Sequence, residues 1–368
     1  MRPEDVSNDE LTLSLCGPEQ RAEQARLFNA CFKKTLQPAS LSWRYDQNPQ
    51  GASVSLVARP PGGEGVCGYA CNPRLALVRG DLETAAPVGQ TGDVMTHPDW
   101  RKRGIFSSLD ARCMEETAAL GWPLVFGFPN RRSAHIFVKI GWDCIGTVRP
   151  WTWFPRATAP ARAHRRREGR LRQALLPLAA QRCKSGRRRL ASRAPKAADI
   201  RPLERFPEEV GALSFEVEQQ FDFMVRRTAD YLNWRFIDTS LKSHLCFGVF
   251  DEAGAMKGYV VVQPPREAGG VGFLVDVLAP DAEWRAAAIG FGVDSLVESG
   301  AAAIEATAVD GSFWARELRD AGFLEPRPEN HLTVILYTHD ATHPLAKVAR
   351  DPSSWYFTDG DRDDETMG

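Results

Sequence analysis

Apolar and polar positions along this chain change period several times, and the changes come twice in the same order. From Ser53 the run SVSLVARPPGGEGVCGYAC, and from His244 the run HLCFGVFDEAGAMKGYVVV, each hold two apolar stretches around a Gly-containing turn. Stretches of that length around such a turn predict β-hairpins. A matching hexapeptide precedes each hairpin, Leu41-Ser-Trp-Arg-Tyr-Asp in one half and Leu232-Asn-Trp-Arg-Phe-Ile in the other. Downstream, Asp93-Val-Met-Thr-His-Pro-Asp-Trp-Arg aligns with Asp276-Val-Leu-Ala-Pro-Asp-Ala-Glu-Trp-Arg after one insertion. Helical patterns follow and end at Gly121 and Gly300, as helices end at glycine. Strand-like runs (PLVFGF, AAIEAT), a second short helix and the pairs Gly141-Trp142 and Gly322-Phe323 complete the two series. Each half therefore reads helix, helix, strand, strand, strand, helix, strand, helix, strand. That order predicts an α/β (α+β) fold with a mixed, mostly antiparallel sheet flanked by helices, and parallel pairing where a helix crosses over. A repeat of this span predicts a duplication.

Length agrees with two domains, since 368 residues with 43% hydrophobic content exceed one ordinary core. The expected division is 1–155, a connecting segment 156–201, a second domain 202–340 and an acidic tail 341–368. Asp359, Asp361, Asp363 and Asp364 give the tail two readings, a disordered end or a fold-back that holds a cationic amine. No apolar run approaches bilayer length, and the opening MRPEDVSNDE is too polar for a signal peptide. A cytoplasmic location is the expectation. The eight cysteines contain no CxxC pair, so they read as core thiols and no metal is expected.

Net charge is −1, but residues 156–201 hold 15 Lys or Arg against Glu168 and Asp199, which makes that segment +13 and the remainder −14. Leu171 to Cys183 within it predicts an amphipathic helix. The block reads either as a spacer packed on acidic domains or as a peripheral contact with the anionic inner face of a membrane. It lacks the interleaved aromatics of a single-strand platform, so no nucleic acid is expected.

The window from Asp93 to Phe106 carries the chemistry. A strand ending near Thr96 leads through Arg101-Lys-Arg-Gly104 into a helix, and a helix start offers unpaired N–H groups and positive potential to an anion. Gly104 permits close approach, and Arg101 and Arg103 add charge. Taken alone, Arg101 to Gly104 also reads as a solvated turn. His97, ahead of Pro98, has two readings, a turn-stabilising residue or a secondary candidate for a general base.

Here the sequence resembles the GNAT acyltransferase superfamily, whose motif is Arg or Gln, two residues, Gly, one residue, then Gly or Ala. Arg101, Gly104 and Phe106 stand at those positions, with Phe106 bulkier than usual. A second motif of the superfamily matches Asn130, Ser133, Phe137, Gly141 and Trp142. The resemblance implies two tandem GNAT-like domains with acetyl-CoA or another acyl-CoA as co-substrate. It implies a cofactor site of Val94, Met95, Thr96, Arg101, Lys102, Arg103, Gly104, Ile105, Phe106, Asn130, Ser133 and Phe137. Backbone N–H groups at Val94 to Thr96 would hold the pantetheine and the thioester oxygen while an amine attacks directly. Asp93 is the candidate base, and a loop-capping Asp is its alternative. The superfamily's proton-donating Tyr is replaced by Phe137, so Ser133, His135 or solvent would substitute, or the thiolate would leave unprotonated.

The second half has Arg285-Ala-Ala-Ala-Ile-Gly where the first has Arg101 to Phe106, which predicts one acyl-CoA site per chain. Tandem chains of this length resemble enzymes that acylate amino sugars for bacterial polysaccharides, Eis-like acetyltransferases and FemABX-type transferases. An amine on a sugar nucleotide or other small polar metabolite is the implied acceptor. The rival reading is a non-catalytic binding protein built from decayed domains.

Overall fold

The computed structural model describes residues 6–32, 35–155, 169–239, 244–326, 329 and 331–362. Residues 156–168 of the basic segment, and Asp363 and Asp364 of the tail, lie outside the described residues. The first half runs β1 (Thr12–Leu15), α1 (Arg21–Phe32), α2 (Pro38–Asp46), β2 (Val54–Arg59), β3 (Cys67–Val78), β4 (Asp81–Thr96), α3 (Ile105–Ala119), β5 (Leu124–Gly127), α4 (Arg131–Lys139) and β6 (Asp143–Trp153). After α5 (Gly169–Arg193), the second half runs β7 (Asp199–Pro202), α6 (Glu209–Glu218), β8 (Phe223–Val225), α7 (Ala229–Leu232), β9 (Leu245–Phe250), β10 (Met256–Gln263) and β11 (Val271–Leu278). It continues through α8 (Ala282–Glu298), β12 (Ala303–Val309), α9 (Phe313–Asp320), β13 (Leu332–Thr338), α10 (Pro344–Val348) and β14 (Trp355–Tyr356). The predicted order of elements is present in both halves, each led by one further strand, and in the second half the short β8 is inserted between α6 and α7.

All fourteen strands belong to one sheet, whose main path is β1-β2-β3-β4-β5-β13-β6-β12-β11-β10-β9-β7. Read from either end the path is the same under exchange of the halves, so a pseudo-twofold axis passes between β13 and β6. Pairing is antiparallel except at the crossovers β4/β5 and β11/β12 and the short β14/β8 pair. The two final strands are exchanged. β13 pairs with β5 of the first half from Ile335↔Gly127 to Thr338↔Leu124, and β6 pairs with β12 from Ile304↔Trp153 to Val309↔Val148. Each half thus completes the other's sheet, and residue 155 divides the sequence without dividing the sheet.

The repeated hexapeptides meet across this axis. Trp43 and Trp234 stack at 4.9 Å, and each indole N–H donates to the other's backbone carbonyl at 2.9 Å. A residue that contacts its own counterpart is what an isologous two-fold contact requires. One face of the sheet buries this pair with Phe126, Phe223, Tyr259 and Trp355. On the opposite face α3 and α4 cover the first half, with Leu109, Cys113, Phe137 and Trp142 buried beneath them.

Two expectations change. The described part of the basic segment packs as α5 onto the fold by more than charge, because Cys183 and Leu190 are buried against the core that contains α8, and Arg187 pairs with Asp294 at its edge. Gly186 makes this docking possible: a Cβ there would sit 2.2 Å from the carbonyl oxygen of Ala321. The acidic tail is also folded as far as Arg362, the last described residue. Trp355, Tyr356 and Phe357 are buried in the core, and Asp359 and Asp361 are buried with bonding partners. The three aromatics supply the apolar burial that a purely acidic tail lacks.

Candidate functional site

The first opening in the sheet arises where β4 and β5 separate. They pair at Gly89↔Val125, Gln90↔Phe126 and Thr91↔Gly127, and no rung follows. β4 nevertheless continues along β3 to Thr96, with a bulge between Gly68 and Ala70. The bulge turns Asp93 to φ 48, a left-handed conformation that Asp tolerates better than most side chains. Beyond Thr91, the edge of β4 therefore offers backbone groups with no β5 partner, as a polar guest in the gap requires.

Asp93 is fixed at this edge. Arg44 of α2 pairs with its Oδ2, and the Tyr45 hydroxyl donates to the same oxygen at 2.7 Å. Both contacts are made to Oδ2. Arg44 and Tyr45 belong to the repeated hexapeptide, a signal visible in the sequence without its role. His97 takes the turn role, its Nδ1 accepting from the Asp99 N–H at 3.4 Å.

The start of α3 lies just beyond. Gly104 is its N-cap at φ 80, and no side chain caps the first turn. Nothing lies within 4 Å of a Cβ built on Gly104. Conformation, not crowding within the fold, is what demands glycine here. Ser107 returns its N–H to the Gly104 carbonyl at 2.9 Å, and the N–H groups of Ile105 and Phe106 precede it at the positive end of the helix. Arg101 and Lys102 are exposed, and the Arg101 Nε donates to the Thr96 carbonyl at 3.2 Å, tying the loop to the end of β4. Arg103 is committed elsewhere: its guanidinium covers the Trp100 ring at 5.0 Å and donates to the Val6 carbonyl. Of the basic residues expected at the anion site, Arg101 and Lys102 remain exposed beside it.

Asn130 caps α4. Its Oδ1 accepts from the Ser133 N–H at 3.3 Å and the Ser133 hydroxyl at 3.2 Å, so Ser133 spends its hydroxyl within the cap. Phe137 is 2% exposed and meets Phe106 and Trp142 edge-on, both at 5.1 Å. The two departures from the motif, Phe106 and Phe137, are thus in contact, and Phe106 also stacks on Tyr69 at 5.9 Å. Where a Tyr would offer a proton there is an aromatic cluster. His135 is exposed, while Ala134 and Phe137 form the buried face of the helix.

Sequence reasoning missed the groups beneath this cluster. The Asp110 carboxylate accepts from the Tyr69 hydroxyl at 2.8 Å and the Trp142 indole at 3.2 Å, and burial pushes its pKa up. It also missed Gln90, at the root of the opening. Gln90 donates from Nε2 to the Asp361 carbonyl at 2.7 Å, and Phe357 meets Phe128 at 4.7 Å. The chain end therefore walls the opening on the side away from α3 and α4. Among the described residues no cluster of His, Cys, Asp or Glu has metal-holding geometry.

Comparison with known proteins agrees with this geometry. Residues 15–145 match a family model described as an acetyltransferase (GNAT) domain. No curated protein matches the chain. Among solved structures, a probable N-acyltransferase of unknown function from Enterococcus faecalis is similar at TM-score 0.61 and 13% identity, covering 90% of this chain and 73% of its own. A tandem GNAT protein from the clavulanic acid biosynthesis pathway is similar at TM-score 0.53 and 14% identity, covering 89% and 98%. N-myristoyltransferase of Saccharomyces cerevisiae, with bound myristoyl-CoA, is similar at TM-score 0.60 and 12% identity, covering 92% and 86%. At these identities the likeness is one of fold.

Proposed function

We propose that the protein transfers an acyl group, acetyl first, from coenzyme A to an amine; the match of residues 15–145 to an acetyltransferase (GNAT) domain model and the likeness of the whole fold to a tandem GNAT protein support this reading. The observation that carries this reading is the pairing of an opened β4/β5 edge with an uncapped α3 start behind a left-handed Gly104. The open space over Gly104 suits a pyrophosphate, and Arg101 and Lys102 stand exposed beside it.

Each residue has a task in this reading. The N–H groups of Ile105 and Phe106 hold the diphosphate. Backbone N–H groups from Val94 to Thr96 stabilise the negative charge that builds on the thioester oxygen, and they need no reorganisation because β3 holds the strand. Asp93 takes the proton that the amine sheds, while Arg44 and Tyr45 keep the carboxylate in place. Phe137 gives no proton, so the thiolate leaves as such; a thiol pKa of about 8.5 makes it a tolerable leaving group. Phe106 and Phe137 exclude water from that side.

The acceptor we propose is an amine on a sugar nucleotide or another small polar metabolite, reached past the wall formed by Gln90 and Phe357. No described helix is long and apolar enough to cross a membrane. α5 carries Arg182, Lys184, Arg188 and Arg193 on its exposed side, which supports contact with an anionic membrane surface as a further property. Thiol release from acetyl-CoA, followed across a panel of amino sugars, polyamines and amino acids, tests the activity. Amine-dependent release at neutral pH is expected. Binding of acetyl-CoA without any amine-dependent release would favour the non-catalytic reading.

A further inference from the structure

The second half has an opening of its own, and it is filled. β11 and β12 pair at Val271↔Ala303, Gly272↔Ile304 and Phe273↔Glu305 and then separate, with the same three rungs as β4 and β5. Thr358 to Arg362 lies in that gap. From the β12 side, the Thr307 backbone N–H donates to Asp359 Oδ2 at 2.6 Å. From the β11 side, Asp276 accepts from the Thr358 hydroxyl at 2.8 Å, and the Val277 carbonyl accepts from the Tyr356 hydroxyl. A strand edge exposed by separation must find partners, and here the chain's own end supplies them.

The segment is held at both of its carboxylates. Arg227, itself buried, donates to Asp361 Oδ2 at 2.7 Å, and that oxygen also accepts from the Thr358 N–H at 3.0 Å. Arg362 reaches Asp359 at 3.1 Å and the Thr307 hydroxyl at 3.3 Å. Gly360 permits the approach, since a Cβ there would lie 3.1 Å from Asp276. At the neighbouring α8 start the Arg285 guanidinium is turned inward, donating to the Ala279 carbonyl at 2.7 Å and to Glu317 at 3.3 Å.

We infer that the second opening is a binding site for an acidic peptide, and that its ligand is the chain's own Thr358–Arg362 segment. This deepens the acyl-CoA reading of the first opening, on which it rests for the meaning of the equivalent gap. A slot that would admit a thioester in one half is occupied by this segment in the other. The occupant also reaches the first opening, through the Asp361 carbonyl bonded to Gln90 and the ring of Phe357 on Phe128. Seating at one gap thereby fixes the wall of the other.

Amide hydrogen exchange on the full chain tests the seat, with acetyl-CoA as the binding probe. In the unmodified protein the Thr307 amide and the 358–362 segment exchange slowly, and acetyl-CoA saturates at one per chain. Asp359→Ala accelerates exchange at Thr307 and at 358–362 by about tenfold or more, the size expected for losing one charged hydrogen bond. The β2/β3 hairpin keeps its protection. Should Asp359→Ala not fold, Arg362→Ala is read by the same comparison. Unchanged exchange at Thr307 in the folded variants, or two acetyl-CoA molecules per unmodified chain, would overturn the seat. Absence of acetyl-CoA binding would instead count against the first opening's function and leave the exchange result to decide the second.

Discussion

Asp93 and His244 show how single side chains carry the account. If Asp93 takes the proton, Asp93→Asn keeps the contacts to Arg44 and Tyr45 in shape but removes the basic oxygen. Turnover should fall about 100-fold, with acetyl-CoA affinity nearly unchanged. A capping role would show the reverse, a loss of stability with little loss of rate. His244 sets a pH dependence, because burial first and Arg235 second hold its pKa at about 4 instead of 6.5. Between those values the unfolded chain binds a proton that the folded chain does not, so stability rises with pH across the window. His244 thus contributes fully above pH 6.5, and its contribution, about 3 kcal/mol, is lost as pH falls toward 4. Melting temperatures of the protein and of His244→Phe, compared at pH 7.5 and 5, check this; the variant should show the smaller acid loss. At this scale the sequence was informative where a residue type has one use. Gly104 reads as a glycine that an anion can approach and proves to be a left-handed N-cap with open space beside it, whereas Arg103 announced a phosphate contact and serves Trp100 and Val6 instead. A cation's partner is chosen by the fold, and its spacing along the chain does not reveal it.

Among the elements, hairpins and helix ends were legible because they depend on neighbours close in sequence. The exchange of β6 and β13 was not, because their partners lie across the whole repeat and a strand's pattern does not name its neighbour. The apolar docking of the basic segment was hard to read for a related reason. Its charge is conspicuous, while the residues that dock it, Cys183, Gly186 and Leu190, are few and spaced along one side of α5. Gly186→Ala measures that docking. A Cβ would strike the Ala321 backbone, and the resulting overpacking should cost about 1 to 3 kcal/mol in urea unfolding. A solvated spacer helix would gain slightly from the same change, since alanine is the better helix former.

For the whole molecule, the shared sheet predicts that neither half is independent. Residues 1–155 expressed alone would leave β5 without β13 and β6 without β12, two open edges and an uncovered Trp43. Such a fragment should be insoluble or unfolded by circular dichroism. Co-expression with residues 169–368 should restore a soluble pair. A folded, monomeric first half would contradict the exchange. The duplication gave the fold two equivalent openings, and the two have diverged in kind: one keeps a left-handed glycine and exposed basic residues, and the other holds the chain's own end.

The opening between Asp93 and Phe106 is tested most directly by calorimetric titration with acetyl-CoA. One site per chain is predicted, and Gly104→Val should weaken it by about tenfold or more through the cost of a left-handed branched residue. No binding by the unmodified protein, or binding indifferent to Gly104→Val, would contradict the account.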